Sequence, residues 1–577
     1  MDKLFVIAAG GTGAKVVEAL IHLCSAGLGP EEVHVLLVDG DTTNGNRLRA
    51  EQTADCYNAI QPWPWRVNGT LNNGNRTFSL FQSRIILYSL AKRFDGINEV
   101  GLLPQLLGDN TLVQAMSVLL DEDELSDDLS HGFTGRPNLG SLVMDQHLRT
   151  HFAKPPQTDA PAPGRPSARK FIEALMEAAR MTDSRPRVVV TGSVFGGTGA
   201  SLLPVAKQCV KAAFAEEQAT AALFDKLGWA KIMLLPFFRP QPGTGMVKVV
   251  PERHLMDTSS ALWYYGLFDV PAPPTRENNG SGQPKLDVTY LIGSESPNDR
   301  KTTGYDGGAQ QRNPPFFHEI IAALAVLDFY RNPDVVEGHS ARHLGNRAVK
   351  EESALKKLPH PFGMEREEFL QRLGALFHLA SFIQLATNNP EEYRLGAFQY
   401  SRSARLTGWE EWLHTMLIQQ RLKPNDPADP SHHALLYFAR LLLWAHPTLS
   451  LAEFKASGLE FDERVTYVSL HNTLCKVETA ETNPGDAAQA RHEDHFVARL
   501  CRATTAGLLR EHSGYRGHEM GQAVSLVENN TLIRVGLGRY WVPLCLRHFG
   551  VMEDAAILDL CHEYGVNLPQ EIRSHFP

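Results

Sequence analysis

The stretch LFVIAAGGTGAK, residues 4–15, decides the fold. Leu4 to Ala9 is an unbroken apolar run, as expected of a strand covered on both faces. Gly10 to Gly13 read as a turn. From Ala14 to Cys24 the residues Val16, Val17, Leu20 and Ile21 recur at helical spacing, and Gly27, Gly29 and Pro30 end the helix. A second apolar run, Val33 to Val38, stops at Asp39-Gly40-Asp41. Strand, glycine turn, helix and strand in this order predict a parallel α/β sheet with right-handed crossovers.

The same grammar returns later. Arg187 to Thr191 reads as a strand that enters the glycine loop GSVFGGTGAS, and a helix follows over about 201–216. Further strands are expected at 231–238 and 287–293. Residues 315–330, PFFHEIIAALAVLDFY, make a helix that is apolar almost all round and belongs in the middle of a domain. Residues 169–181 and 252–268 read as helices, and 110–128 as a helix ending in the acidic run DEDELSDD, a solvated face without calcium-loop spacing. The segments 153–168 and 271–284, rich in proline, alanine, glycine or asparagine, read as loops. After residue 340 helical patterns dominate, at 366–388, 409–422, 432–446, 494–511 and 552–564, with one strand pattern at 463–471.

Composition limits the partners. Of 577 residues, 43% are apolar and 21% charged, which excludes global disorder and fibrous repeats. With 65 acidic and 56 basic residues, net charge −9, the chain has no bulk cationic surface and no strong nucleic-acid signal. The seven cysteines are scattered, with no C-x-x-C pair, so they read as buried thiols in a reducing compartment. The N-terminal MDKLFVIAAGG reads as a strand rather than a secretory leader. The most apolar helix, HALLYFARLLLWAHPTL, carries Arg440 and two histidines, too polar for a membrane span. A cytoplasmic location is the expectation.

The two glycine motifs are the most informative feature. Gly10-Gly11-Thr12-Gly13-Ala14-Lys15 and Gly196-Gly197-Thr198-Gly199-Ala200-Ser201 each lie between a strand and a helix. Glycines there admit close approach of a phosphate, and a helix N-terminus supplies free N–H groups and a favourable dipole. Either turn alone could be a tight connection; a pair can hold one polyphosphate from two sides. The Walker A and G-x-G-x-x-G patterns are both absent. Asp39, after the second strand, suits a ribose hydroxyl, which keeps a dinucleotide reading open.

These motifs resemble those of the tubulin/FtsZ superfamily. GSVFGGTGAS is similar to its glycine-rich signature loop, and AAGGTGAKV to its first nucleotide loop, with the bacterial tubulin-like branch the nearest likeness. The resemblance covers residues 1–340. It implies a Rossmann-type parallel sheet that binds GTP or GDP with Mg²⁺, carrying insertions at about 45–130 and 153–168 because Gly10 and Gly196 lie far apart. It further implies that Gly10, Gly11, Thr12 and Gly13, with Lys15, meet the phosphates. Asp39, Asp41 and Thr42 would stand near phosphate and metal, with Asp41 the metal residue. Gly135, Arg136 and Asn138 would lie in the loop that senses the γ-phosphate. Gly196, Gly197, Thr198, Gly199 and Ser201 would wrap the phosphates, and Pro236 would lie near the ribose. Asn313, His318 and Glu319 stand where the guanine edge would be read, without a clean match. Hydrolysis in this superfamily is completed by an acid from the next subunit. Asn332-Pro333-Asp334 fits that place, with Asp334 the acid, Asn332 beside it and Glu337 in reserve; as plain sequence it is also an ordinary turn.

The resemblance thus implies a Mg-dependent GTPase completed by self-assembly as a homo-oligomer or filament. Residues 350–577 read as a mainly helical domain that engages another protein. Two alternatives stand beside it: a nucleotide-dependent assembly switch without hydrolysis, within a multi-protein bacterial system for which defence is one suggestion, and a dinucleotide-binding α/β protein. Among other candidates, His492 and His495 lack a metal-binding partner pattern, Cys561-His562 reads as a helix end, and Trp63-Pro64-Trp65 as loop packing.

Overall fold

Six strands of five to seven residues, all parallel, form the central sheet, with a two-residue strand at one edge. The computed structural model describes residues 3–41, 43–62, 66–90 apart from 72–73, 137–153, 165–242 apart from 182–184 and 217, 288–293, 301–304, 308–331, 425–448 and 550–568, with shorter stretches and single residues elsewhere. In chain order the elements are β1 (Leu4–Ala9), α1 (Gly10–Ser25), β2 (Glu32–Val38), α2 (Gly45–Ile60), the hairpin β3 (Arg66–Leu71) and β4 (Gly74–Ser79), and β5 (Arg84–Tyr88). Then come α3 (Pro137–Phe152), α4 (Ala168–Arg180), β6 (Arg187–Ser193), α5 (Gly197–Ala215), β7 (Gly228–Leu234), β8 (Arg239–Pro242), β9 (Val288–Ile292), β10 (Lys301–Gly304), α6 (Phe317–Arg331) and β11 (Arg342–His343). From the last third come α7 (Pro430–Thr448), α8 (Asp554–Glu563) and a single helical turn at Gln570–Arg573.

The spatial order is β5-β2-β1-β6-β7-β9-β11. Numbered along the chain, the six full strands therefore lie 3-2-1-4-5-6. This is the doubly wound order, with its switch point between β1 and β6. Successive residues of β1 face opposite layers. Leu4, Val6 and Ala8 pack with α1, α2 and α6, whereas Phe5, Ile7 and Ala9 pack with α3, α4 and α5. Both faces are covered, which is why the strands are apolar runs rather than alternating ones. The helix at 317–331 is buried from Phe317 to Phe329, as its all-round apolarity predicts.

Three expectations change. The helices after the glycine motifs start earlier than the periodicity indicates, at Gly10 and Gly197 rather than at Ala14 and about 201, so the glycines form the first helical turns. Residues 45–88 do not behave as an insertion: α2 packs on α1, and β5 pairs with β2 from Glu32↔Arg84 to Leu36↔Tyr88. The pattern of α2 misleads because it buries Arg47 and Arg49. Finally, the described helices of the C-terminal third join the core of the sheet domain. Tyr437, Phe438 and Trp444 of α7 and Ile557 and Leu560 of α8 belong to the same apolar cluster as α1 and α6. The expected elements at 409–422, 463–471 and 494–511, the loop 271–284, the acidic run, Trp63-Pro64-Trp65 and His492/His495 lie outside the described residues.

A buried charged hub ties this third to α1 and α2. Arg49 Nε donates to Glu18 Oε2 at 2.9 Å, and Arg49 Nη1 donates to the carbonyls of Asn313 and Glu563, each at 2.9 Å. The Tyr564 hydroxyl donates to Glu18 Oε1 at 2.8 Å. Burial pushes the Glu18 carboxyl up, but Arg49, His22 and Tyr564 together hold it below the usual carboxylate range. A hydrogen bond to a buried charge contributes about 1.5–3 kcal/mol. Tyr564→Phe should therefore lower the unfolding free energy by about 2 kcal/mol, read by urea titration of the full chain.

Candidate functional site

The carboxyl ends of β1, β2 and β6 finish nearly level, with Ala9 opposite Val38 and Ala8 opposite Thr191. At each end a helix begins. α2 is closed by Asn44, whose side chain accepts from the N–H groups of Asn46 and Arg47. α1 and α5 have no side-chain cap. Their first N–H groups are the donors that a helix leaves unsatisfied.

The two uncapped turns touch. Gly10 has φ +66°, which disfavours any side chain, and a Cβ there would stand tightly, 3.1 Å from Thr198 Cβ and 3.6 Å from Gly199 N. Gly13 rests on the strands themselves; a Cβ would lie 2.8 Å from the Ala8 carbonyl carbon and 3.1 Å from Thr191 O. Gly192 approaches Ala9 equally closely. The spacing of the motifs is thus set by backbone-to-backbone packing across β1 and β6, and two positive helix ends converge on one spot. Gly11, Thr12, Gly196 and Gly197 are partly exposed, so the spot opens to solvent.

Asp39 and Asp41 stand beside it, with different fates. Asp41 is engaged through both oxygens: Oδ1 accepts from Thr43 N at 3.0 Å and Thr43 Oγ1 at 2.7 Å, and Oδ2 accepts from Gly308 N. Asp39 Oδ1 accepts from Thr198 Oγ1 and from Asp41 N, both at 3.2 Å, which joins the β2 end to the second glycine turn. Asp39 Oδ2 has no partner although the residue is only 4% exposed. Burial pushes this carboxyl up to about 7, against the Asp41 amide, nearby Arg47 and the Thr198 hydroxyl, which pull it down. Among the described residues no group of three His, Cys, Asp or Glu side chains gathers to hold a metal. A magnesium ion bound with polyphosphate needs only one or two carboxylates, and the bare Asp39 oxygen fits that demand.

Two expected contacts turn away. Lys15 runs into the α1–α6 interface, with Nζ 2.6 Å from Glu319 Oε1 and 4.3 Å above the Phe316 ring. It sits at the helix position facing α6, not at the glycine turn. Burial lowers the Lys15 ammonium and raises the Glu319 carboxyl, and their contact opposes both shifts. Ser201 is fully buried; its hydroxyl donates to Gly197 O at 2.6 Å and lies against Gly140 of α3. Pro236 lies two residues past the end of β7 and is buried beside Phe237, whose ring meets Phe195 of the second motif at 5.8 Å. Asn138 lies in the first turn of α3. Thr42, Gly135, Arg136, Asn332, Asp334 and Glu337 lie outside the described residues.

Three residues, Asn44, Asn46 and Gln311, escaped the sequence reading, and they join Asn313, which was expected near the guanine edge. Asn44 Nδ2 donates to Gln311 Oε1 at 2.7 Å, and Asn46 and Asn313 bond reciprocally, Asn313 N to Asn46 Oδ1 at 2.9 Å and Asn46 Nδ2 to Asn313 Oδ1 at 3.3 Å. These amides press on Gly11, where a Cβ would lie 3.1–3.2 Å from Asn44 and Asn46. The residues before α6 that stand nearest the expected base reader are therefore engaged with α2. His318 stacks on Phe237 at 4.6 Å, and Glu319 holds Lys15. The only available signal was N-G-N before α2, a helix-start pattern. No family model and no curated protein matches the chain.

Gly13→Ala pushes a methyl into two strand backbones, and overpacking of this kind costs about 1–3 kcal/mol. The variant should unfold at lower urea than the wild type, read by urea titration of the full chain.

Proposed function

We propose that the chain is a tubulin-like nucleotide-binding protein, a GTPase whose hydrolysis is completed by self-assembly in the cytoplasm. One observation supports it above the rest: two uncapped, glycine-built helix N-termini abut at the switch point of a doubly wound sheet. Such a crevice, outside the carboxyl ends of the strands, is where open α/β sheets bind ligands, and converging N–H groups favour a polyanion. The matched Gly-Gly-Thr-Gly turns favour a nucleotide with two or three phosphates held from both sides. Guanine, rather than another base, rests on the resemblance alone.

In this reading the N–H groups of the turns at 10–13 and 196–199 bind and orient the phosphates. Their fixed dipoles stabilise charge that builds on the γ-phosphate oxygens during in-line attack by water. Bound magnesium would supply further neutralisation of phosphate charge. Asp334 of a neighbouring copy would orient the water and take its proton. Residues 350–577 would also engage a partner protein, in addition to the packing of the helices at 430–448 and 554–563 into the sheet domain. The described helices are none of them long and apolar enough to cross a membrane.

A dinucleotide is the second reading, favoured specifically by the 3-2-1-4-5-6 order and by the acid at the end of the second strand. Ligand identity separates the two. Protein purified at high magnesium, denatured and chromatographed should release GTP or GDP; release of NAD overturns the proposal. Thr12→Glu places a negative charge at the partly exposed glycine turn and should lower nucleotide affinity at least ~10-fold, measured by calorimetry.

Turnover gives the second test. Rate per subunit should rise with protein concentration, and Asp334→Ala should remove turnover at saturating GTP while binding persists. Binding without turnover in the wild type would favour the non-hydrolysing assembly switch.

A further inference from the structure

The segment from Gly308 to Pro314 is held by two parts of the chain. One is the start of α2. Gly45 N donates to Gly308 O at 3.4 Å and Asn46 N to Gln311 O at 3.1 Å, beside the amide pairs of Asn44 with Gln311 and Asn46 with Asn313. The same Asn44 and Asn46 side chains press on Gly11 of the first glycine turn. The other is the end of α8 and the residues just after it. Arg312 Nη1 lies 3.2 Å from Glu563 Oε1, and Arg49 Nη1 donates to the carbonyls of both Asn313 and Glu563 at 2.9 Å. Gly565, with φ +66°, comes so near Pro314 that a Cβ would stand 3.0 Å from its Cγ. Tyr564 is fully buried and bonds Glu18 of α1. Direct contacts thus run from the glycine turn through the asparagine amides and residues 312–314 to residues 563–565.

We propose that Glu563–Gly565 act as a clamp that pre-organises the crevice, so that docking of these C-terminal residues and occupancy of the glycine turns are coupled. The coupling rests on the reading of that crevice as an anion site and supplies its regulation. The physical reason is conformational freedom. Backbone N–H groups capture a phosphate well only when they are held in one geometry before it arrives. Gly11 carries no side chain to hold it. Its neighbours Asn44 and Asn46 are held in turn by Gln311 and Asn313. With residues 563–565 undocked, Arg49 and Arg312 lose their bonds to Glu563, and the segment 308–314 gains freedom that ligand binding must remove again. Linkage makes the effect reciprocal: the factor that the clamp adds to ligand affinity, the ligand adds to the docked state of the clamp. Anything that lifts residues 563–565 off this segment therefore weakens the hold on the ligand. Arg49, Arg312, Glu563 and Tyr564 are positioning residues that act through α2 and the segment before α6.

The test uses the full chain and two probes, GTP with Mg²⁺ and inorganic tripolyphosphate, titrated calorimetrically. Glu563→Gln removes the charge that Arg312 meets; Arg312→Gln removes the other partner at a partly exposed position, where folding is least at risk. Each should weaken both probes at least ~5-fold. Phe171→Leu, in the core on the opposite face of the sheet, lowers stability without touching the clamp and should leave both affinities unchanged. Hydrogen exchange gives the reciprocal readout. The amides of Tyr564, Gly565 and Val566 donate to the carbonyls of Cys561 and His562. Saturating probe should slow their exchange at least ~5-fold in the wild type and markedly less in Glu563→Gln. Unchanged affinities in both clamp variants overturn the proposal and leave the nucleotide reading standing. So does an equal loss in Phe171→Leu, which marks general loosening, and so does exchange at 564–566 that ignores the probe. A loss confined to GTP overturns the assignment to the glycine turn. Binding of tripolyphosphate without GTP sinks the nucleotide reading alone, and the clamp is then judged on tripolyphosphate. Binding of neither probe overturns both.

Discussion

The approach of the two glycine turns governs the molecule. β1 and β6 are neighbours whose helices leave on opposite faces, so α1 and α5 begin side by side and diverge. That close approach uses Gly13 and Gly199, where an added Cβ would run into backbone, and Gly10 and Gly192, where it would press on Thr198 and Ala9. The same close approach brings Thr198 within reach of Asp39 and so fixes the end of β2. It also leaves two helix dipoles without a capping partner at one open spot. Most helix N-termini are closed by a side chain, as α2 is by Asn44. Two adjacent open ones store donors for something the chain itself does not supply.

Around this spot the polar groups fall into two kinds. Some are spent on holding the frame. Asn44, Asn46, Gln311 and Asn313 clamp α2 to the segment before α6, and Asp41 grips Gly308. Lys15 and Glu319 pair inside the α1–α6 interface. Others keep capacity in reserve, as Asp39 does with its second oxygen. Sequence position places Lys15, Asp39 and Asp41 all near the phosphates, with Asp41 as the metal residue. Their partners divide them.

The Arg49 hub shows how the ends of the chain become one body. One guanidinium joins α1 through Glu18, the turn before α6 through Asn313, and the end of α8 through Glu563. Buried ion pairs are costly to desolvate, so such a hub contributes through its full complement of bonds and through the arrangement it specifies. With α7 inserting Tyr437 and Trp444 into the core over α1, the described part of the last third is structural to the sheet domain. A helical pattern in that region was readable; the surface against which those helices would bury their apolar faces was not.

Much of the fold was legible because its signals are local. Apolar runs bounded by glycine mark strands buried on both sides, and Leu4–Ala9, Val33–Val38 and Arg187–Thr191 all fall inside observed strands. The helix at 317–331 announced its central place by being apolar on every side. Hydrophobic periodicity missed α2 and β5, since α2 buries arginines against distant partners and a short edge strand carries little pattern of its own. The sequence by itself determined an α/β protein with parallel strands and two matched glycine turns at strand-to-helix junctions, because the residues that set those features lie next to one another. Only the tertiary structure decided that the turns abut, that Lys15 and Ser201 face inward, and that Asp39 keeps a bare oxygen. Each of those facts depends on groups from about 60 to about 300 residues apart in sequence being brought within a few ångströms.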